Sequence, residues 1–185
     1  MANDNPRVEM LRDVLTSSVD TFKENTRISA LLDDKAQKTA GVAGLFLAAA
    51  FGFAKKDNLA DLSQLLGRSG IGLLAGVVFL FLCSIFASLT VMWARAGLGP
   101  PAPKNLFEIT QLLLKIENGT SEERQENHLR DQIRAWLSVL STQESVNQSK
   151  ARRLKTGQWV LAAAMVFLSI IIVRLILVAS GWQAS

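Results

Sequence analysis

The sequence predicts an all-α, multi-pass membrane protein with three transmembrane helices and a small cytoplasmic helical domain. Three observations carry that prediction. Hydrophobic residues make up 49% of the 185 residues, yet they collect in three blocks with most of the charge outside them. Such segregation belongs to membrane spans and not to a single globular core. The first block carries a row of small residues where a water-soluble core helix would place leucine or isoleucine. Outside the blocks, apolar residues recur at three- and four-residue steps, the period of amphipathic helices.

The small residues of the first block are Ala36, Ala40, Gly44, Ala48 and Gly52, with Gly41 and Ala43 beside them. Residues four apart lie near one another on a helix, so the row reads as a ridge that lets a second helix approach closely. Gly72 and Gly76 form a Gly-x-x-x-Gly pair at the start of the second block and read as its mate. The expectation is a packing hub in the first span.

The elements follow in order. Residues 1–34 form an N-terminal amphipathic arm. Asp4 and Asn5 precede Pro6, a suitable helix start, and Val8, Leu11, Leu15, Val19 and Phe22 share one face. Residues 36–95 form a two-span hairpin. Its first span, Thr39 to Ala54, covers roughly 24 Å at 1.5 Å per residue, short of a hydrocarbon core of about 30 Å. It extends back through Ala36 with Lys35 and Lys38 snorkelling, the alternative being a buried helix that does not cross. Leu59, Leu62, Leu65 and Leu66 in the polar connection suit a short surface helix. The second span, Gly70 to Ala94, carries no charge and ends at Trp93, an interfacial anchor.

Pro100, Pro101 and Pro103 break the chain. Residues 96–156 form a cytoplasmic helical segment with capping boxes at Asn105/Glu108 and Thr120/Glu123. One stripe is Leu106, Ile109, Leu112, Leu113 and Ile116; a second, for packing below the membrane, is Leu129, Ile133, Trp136, Leu137 and Leu140. Residues 157–183 form the third span, bounded by Trp159 and Trp182, and the last cytoplasmic helix runs into it with only Gly157 between. Lys and Arg gather before the first span and between the second and third. The positive-inside rule therefore places the N-terminus in the cytoplasm and the C-terminus outside. The polar first thirty residues are not the charged-then-apolar start of a secretory signal.

Few residues point to chemistry. The single cysteine, Cys83, and single histidine, His128, leave no intrachain disulfide and no histidine-based zinc site. No phosphate loop, nucleophile elbow or metal-ligand spacing is present, so neither an enzyme nor a cofactor is expected, and no nucleic-acid partner. Asp33, Asp34, Glu122 and Glu123 fit helix starts or a membrane edge better than acid–base work. Lys150, Arg152, Arg153 and Lys155 are a topology signal or a ligand set for lipid or nucleotide phosphate. Arg174, among isoleucines, leucines and valines, either lines a pore, binds lipid phosphate, or snorkels to the interface.

The entry Asp33-Asp34-Lys35-Ala36-Gln37-Lys38 resembles the Asp-x-Lys-Ala entry of Pycsar-type bacterial membrane effectors. The order of elements is also similar: a two-span hairpin, a Pro-rich exit at Pro100-Pro101-Ala102-Pro103, a helix over Leu137 to Lys150, and a basic cluster leading into a further span. The SLATT group of membrane effectors shares this plan. The resemblance covers about residues 25 to 175 and implies an anti-phage effector that oligomerises and permeabilises the inner membrane. Its trigger would be a nucleotide second messenger or a partner protein; no cyclic-nucleotide-binding module is recognisable. The alternative is a non-conducting membrane anchor or scaffold whose cytoplasmic helices recruit a partner.

Overall fold

A computed structural model of the chain describes residues 6–53, 56–94 and 121–180. Every regular element among them is an α-helix: α1 (Pro6–Phe53), α2 (Lys56–Trp93) and α3 (Ser121–Ala179). The expected caps at Asp4, Asn5 and Thr120, the Pro-rich exit, the Asn105 to Ile116 helix and Trp182 lie outside the described residues, as do the side chains over 56–69.

Two helices run unbroken past the edges of their apolar blocks. The N-terminal arm and the first apolar block form one helix of 48 residues. No proline falls between Pro6 and its end, and the charges once read as a boundary support the helix interior. Lys38 Nζ lies 2.7 Å from Asp34 Oδ2, one turn away, a spacing that favours helix. Likewise α3 carries the last stripe through Gly157 into the third block as one helix of 59 residues.

The buried faces follow a seven-residue repeat. Along α1, Val8, Leu15, Phe22, Ser29, Ala36, Ala43 and Ala50 are all buried or half-buried; along α3, so are Leu129, Trp136, Gln143, Lys150, Gly157, Ala164 and Ile171; along α2, Gly70, Val77, Ser84 and Val91 are buried. A period of 3.5 is that of helices packing at shallow angles by knobs into holes. It explains why the small residues of α1 do not stay on one contact. Steps of four rotate by about 40° each at 3.6 residues per turn. Ala36 is accordingly fully buried, Ala40 and Gly44 are half-buried, and Ala48 and Gly52 are exposed.

The chain divides into two compact units, Met1–Leu31 with Arg95–Ser149 and Leu32–Ala94 with Lys150–Ser185. In the first, α1 and α3 run parallel. The Phe22 and Trp136 rings meet edge-on at 5.3 Å. Further along both helices, Gln143 Nε2 donates to Thr26 Oγ1 (3.0 Å) and Asn147 Nδ2 to the Asn25 carbonyl (2.9 Å). In the second unit α1 and α3 are again parallel, and α2 is antiparallel to both. Ala43, Val77, Phe81, Ala164 and Ile171 form its main core, with the Phe46 and Phe81 rings stacked at 5.6 Å. Ala36, Val91 and Leu154 form a second cluster.

The second unit is apolar outside as well as inside. Leu45, Phe51, Phe79, Phe86, Phe167 and Ile176 all face outward. Among the described residues two helices are long and apolar enough to cross a membrane, one over Gly70–Trp93 and one within Gln125–Val178. Only 22% and 11% of their most apolar windows are buried, so neither is the enclosed core helix of a globular domain. The apolar part of α1 is shorter and is not one of these two.

Candidate functional site

The close glycine contact is at Gly157 and not at the glycines that the sequence singles out for packing. At Gly157 a Cβ would sit 3.3 Å from Ala87 Cβ and 3.5 Å from Ser88 Oγ, and Ser84 Oγ donates to the Gly157 carbonyl at 2.9 Å. The close approach of α2 and α3 is thus built from Ser84, Ala87 and Ser88 on one helix and Gly157 on the other, the small-residue device of membrane helices. By contrast, a Cβ at Gly41, Gly44, Gly52, Gly72 or Gly76 would meet nothing within 4 Å. Gly72 and Gly76 are exposed, and the chain does not bring them against the Ala36 to Gly52 row. The signal for Gly157 lay in its place on the seven-residue series of α3.

The basic cluster before the third block divides in two. Lys150 is 3% exposed, and its ammonium donates to both oxygens of Asp33, at 2.8 and 2.9 Å. It is therefore a seam residue and not a surface ligand for phosphate, which corrects the reading of the cluster as four equivalent cations. Asp33 is correspondingly neither a cap nor a helix start. Arg152, Arg153 and Lys155 remain exposed. Arg153 Nη1 donates to the Thr90 carbonyl (3.3 Å), one of the last acceptors of α2, where a cation also complements the helix dipole.

The polar groups of the α1–α3 seam are half satisfied. Gln143 and Asn147 donate as described, and the Thr26 hydroxyl donates its own hydrogen bond to the Phe22 carbonyl. The acceptor oxygens Gln143 Oε1 and Asn147 Oδ1 have no partner among the described residues, nor do Ser88 Oγ and His128 Nδ1. Of the stripe Leu129, Ile133, Trp136, Leu137 and Leu140, Leu129 is buried and Ile133, Trp136 and Leu140 are half-buried, whereas Leu137 is exposed. Leu137 lines an open groove of about 460 Å³ with Leu140, Val14, Asp13 and the hydroxyls of Ser17 and Thr21. Arg174 is exposed on α3 among apolar neighbours. Cys83 is a half-buried free thiol. No group of three or more metal-ligating side chains occurs among the described residues.

These features hold helices together or lie on an apolar exterior; among the described residues none is arranged as a nucleophile with a base. Comparison with family models, with curated proteins and with solved structures returns no match to this chain.

Proposed function

We propose that the chain is a bacterial membrane effector that crosses the inner membrane three times, with its N-terminus in the cytoplasm, and that self-associates to permeabilise the bilayer when triggered. The observation that carries this reading is the second unit. Its interior is packed, its exterior is apolar, and a Cβ added at Gly41, Gly44, Gly72 or Gly76 would meet nothing within 4 Å among the described residues. Faces of this kind associate with further helices in lipid. A third crossing is supported by the packing of Ala43 with Val77, Phe81 and Ala164, because a bilayer that covers α2 and α3 covers that part of α1 too. The parallel course of α1 and α3 with α2 reversed suits an odd number of crossings. The anti-phage role and a nucleotide or protein trigger rest on the resemblance to Pycsar-type and SLATT effectors.

The test is inducible expression followed with a membrane-potential dye, in wild type and in Arg174→Leu. Potential is expected to collapse and growth to stop on triggering, and Arg174→Leu to weaken both. Normal potential and growth in every triggered state, with the protein inserted, refute the reading. The open groove at Leu137 favours a second reading, a non-conducting anchor that recruits a partner; an anchor tolerates Arg174→Leu fully.

A further inference from the structure

We infer that the outward face of α3 is a binding site for an anionic phospholipid, with the headgroup on Arg152 and Lys155 and an acyl chain along Trp159, Val166 and Ile170. The inference rests on the membrane reading above and adds a ligand to it.

Arg152, Lys155 and Trp159 stand at i, i+3 and i+7, which puts them on one side of the helix, and all three are exposed. Trp159 is 68% exposed, an indole below two cations. The same face continues as apolar surface. Val166, Ser169, Ile170 and Val173 line an open groove of about 330 Å³, and the Ser169 hydroxyl is turned inward on the Met165 carbonyl, so the groove offers apolar atoms and no free donor from that serine. From Lys155 to Val166 is roughly 16 Å at 1.5 Å per residue, about the depth of one leaflet's hydrocarbon. A headgroup at Lys155 therefore lays its chain into the groove.

The level of the cations is set independently. Leu154 is buried with Ala36 and Val91. Lys35, exposed Trp93, and Arg153 on the Thr90 carbonyl therefore lie at nearly the same height on the three helices. Lysine, arginine and tryptophan at one level mark the headgroup region of a bilayer. Charge complementarity selects the lipid. The described residues of α3 from Ser149 to Val178 include five basic side chains and no acidic one, and Lys150, already on Asp33, is not among those that reach outward. A phospholipid satisfies the cations and the groove together, which a free phosphate does not. Cations near an anionic surface contribute about 1 kcal/mol each, roughly fivefold per residue.

The full-length chain with Trp93→Phe, Trp136→Phe and Trp182→Phe keeps Trp159 as its only indole. Reconstituted in vesicles, its fluorescence is titrated with phosphatidylglycerol or phosphatidylcholine brominated on the acyl chain. Stronger quenching by phosphatidylglycerol is expected, by roughly five- to twenty-five-fold in relative affinity, falling to equality in Arg152→Gln/Lys155→Gln. Equal quenching by both lipids in the parent overturns the site, as does a preference that survives the double substitution. Loss of the preference on adding inorganic phosphate at constant ionic strength also overturns it, assigning the cations to a free anion. Protection of Trp159 from both lipids as the protein-to-lipid ratio rises shows a second copy on this face and overturns it too. Absence of quenching at every ratio, with the chain recovered outside the vesicles, fails the membrane reading itself and is told apart by that recovery.

Discussion

The Asp33–Lys150 pair is buried asymmetrically, and its two halves should therefore differ sharply when removed. The Lys150 side chain is 3% exposed and that of Asp33 is 40% exposed. In Asp33→Ala the ammonium stays in the seam without the carboxylate that received two of its N–H bonds, at 2.8 and 2.9 Å. Breaking a buried pair in this way costs about 3 to 5 kcal/mol. In Lys150→Met the buried charge goes with the substitution, the methionine keeps most of the apolar stem, and Asp33 regains water through its exposed side. That costs about 1 kcal/mol or less, near the worth of a surface pair. The double variant should resemble Lys150→Met, which gives a coupling energy of about 3 to 5 kcal/mol in magnitude, the whole cost of Asp33→Ala, since that cost vanishes once Lys150 is gone. The measurement is reversible unfolding of the purified chain by sodium dodecyl sulfate in mild detergent, followed by far-ultraviolet circular dichroism. If Lys150→Met is as damaging as Asp33→Ala, the burial argument is wrong and the pair is held by its surroundings and not by its charges.

Three further outcomes follow from the same packing. Gly157→Ile, whose Cβ would meet Ala87 at 3.3 Å, should part α2 from α3, strain the Ser84 hydrogen bond and cost about 1 to 3 kcal/mol or more. Gly76→Ile, whose Cβ would meet nothing within 4 Å among the described residues, should leave the monomer's unfolding midpoint unchanged and weaken only self-association, read as mass in detergent. Gln143→Leu with Asn147→Leu removes two buried acceptors without partners among the described residues. It should leave stability within about 1 kcal/mol of wild type or raise it, measured in the same unfolding experiment.

The helical class and the two long apolar helices were legible because both are local properties: apolar runs over Gly70 to Trp93 and Gly157 to Val178, and helical spacing around them. The union of the arm with the first block was less legible, because Asp33, Asp34 and Lys35 look like a boundary when read by composition. The Asp33–Lys150 pair joins residues 117 positions apart, and nothing local to Lys150 separates it from Arg152 and Arg153. Its phase does. Lys150 falls on the series Leu129, Trp136, Gln143, Lys150, Gly157, Ala164, Ile171, and a charge at a core step of a seven-residue repeat demands a buried partner. The row Ala36 to Gly52 failed as a single contact for the complementary reason: it was read at a step of four, and a packed face keeps to steps of three and four in alternation.

That series also orders the side chains of α3 by kind. Large rings and leucine come first, then an amide, then a cation, then glycine and alanine, then isoleucine. Four of these layers meet a matching side chain on another helix: Trp136 meets Phe22, Gln143 meets Thr26 and Lys150 meets Asp33, all on α1, and Gly157 meets Ser84 on α2. Slippage of α3 past α1 by one heptad would set Lys150 beside Thr26 or Ala40 in place of Asp33, and Trp136 against Ser29 or Leu15 in place of Phe22. Apolar layers alone tolerate such slips, since leucine packs on leucine at any register. The amide and charged layers do not, because each leaves a buried polar group without its partner. The polar seam thus costs stability at Gln143 and Asn147 and returns it as a single register. In lipid, where burial of apolar surface no longer distinguishes one helix contact from another, a register fixed by paired polar groups is the stronger constraint on how the three helices meet.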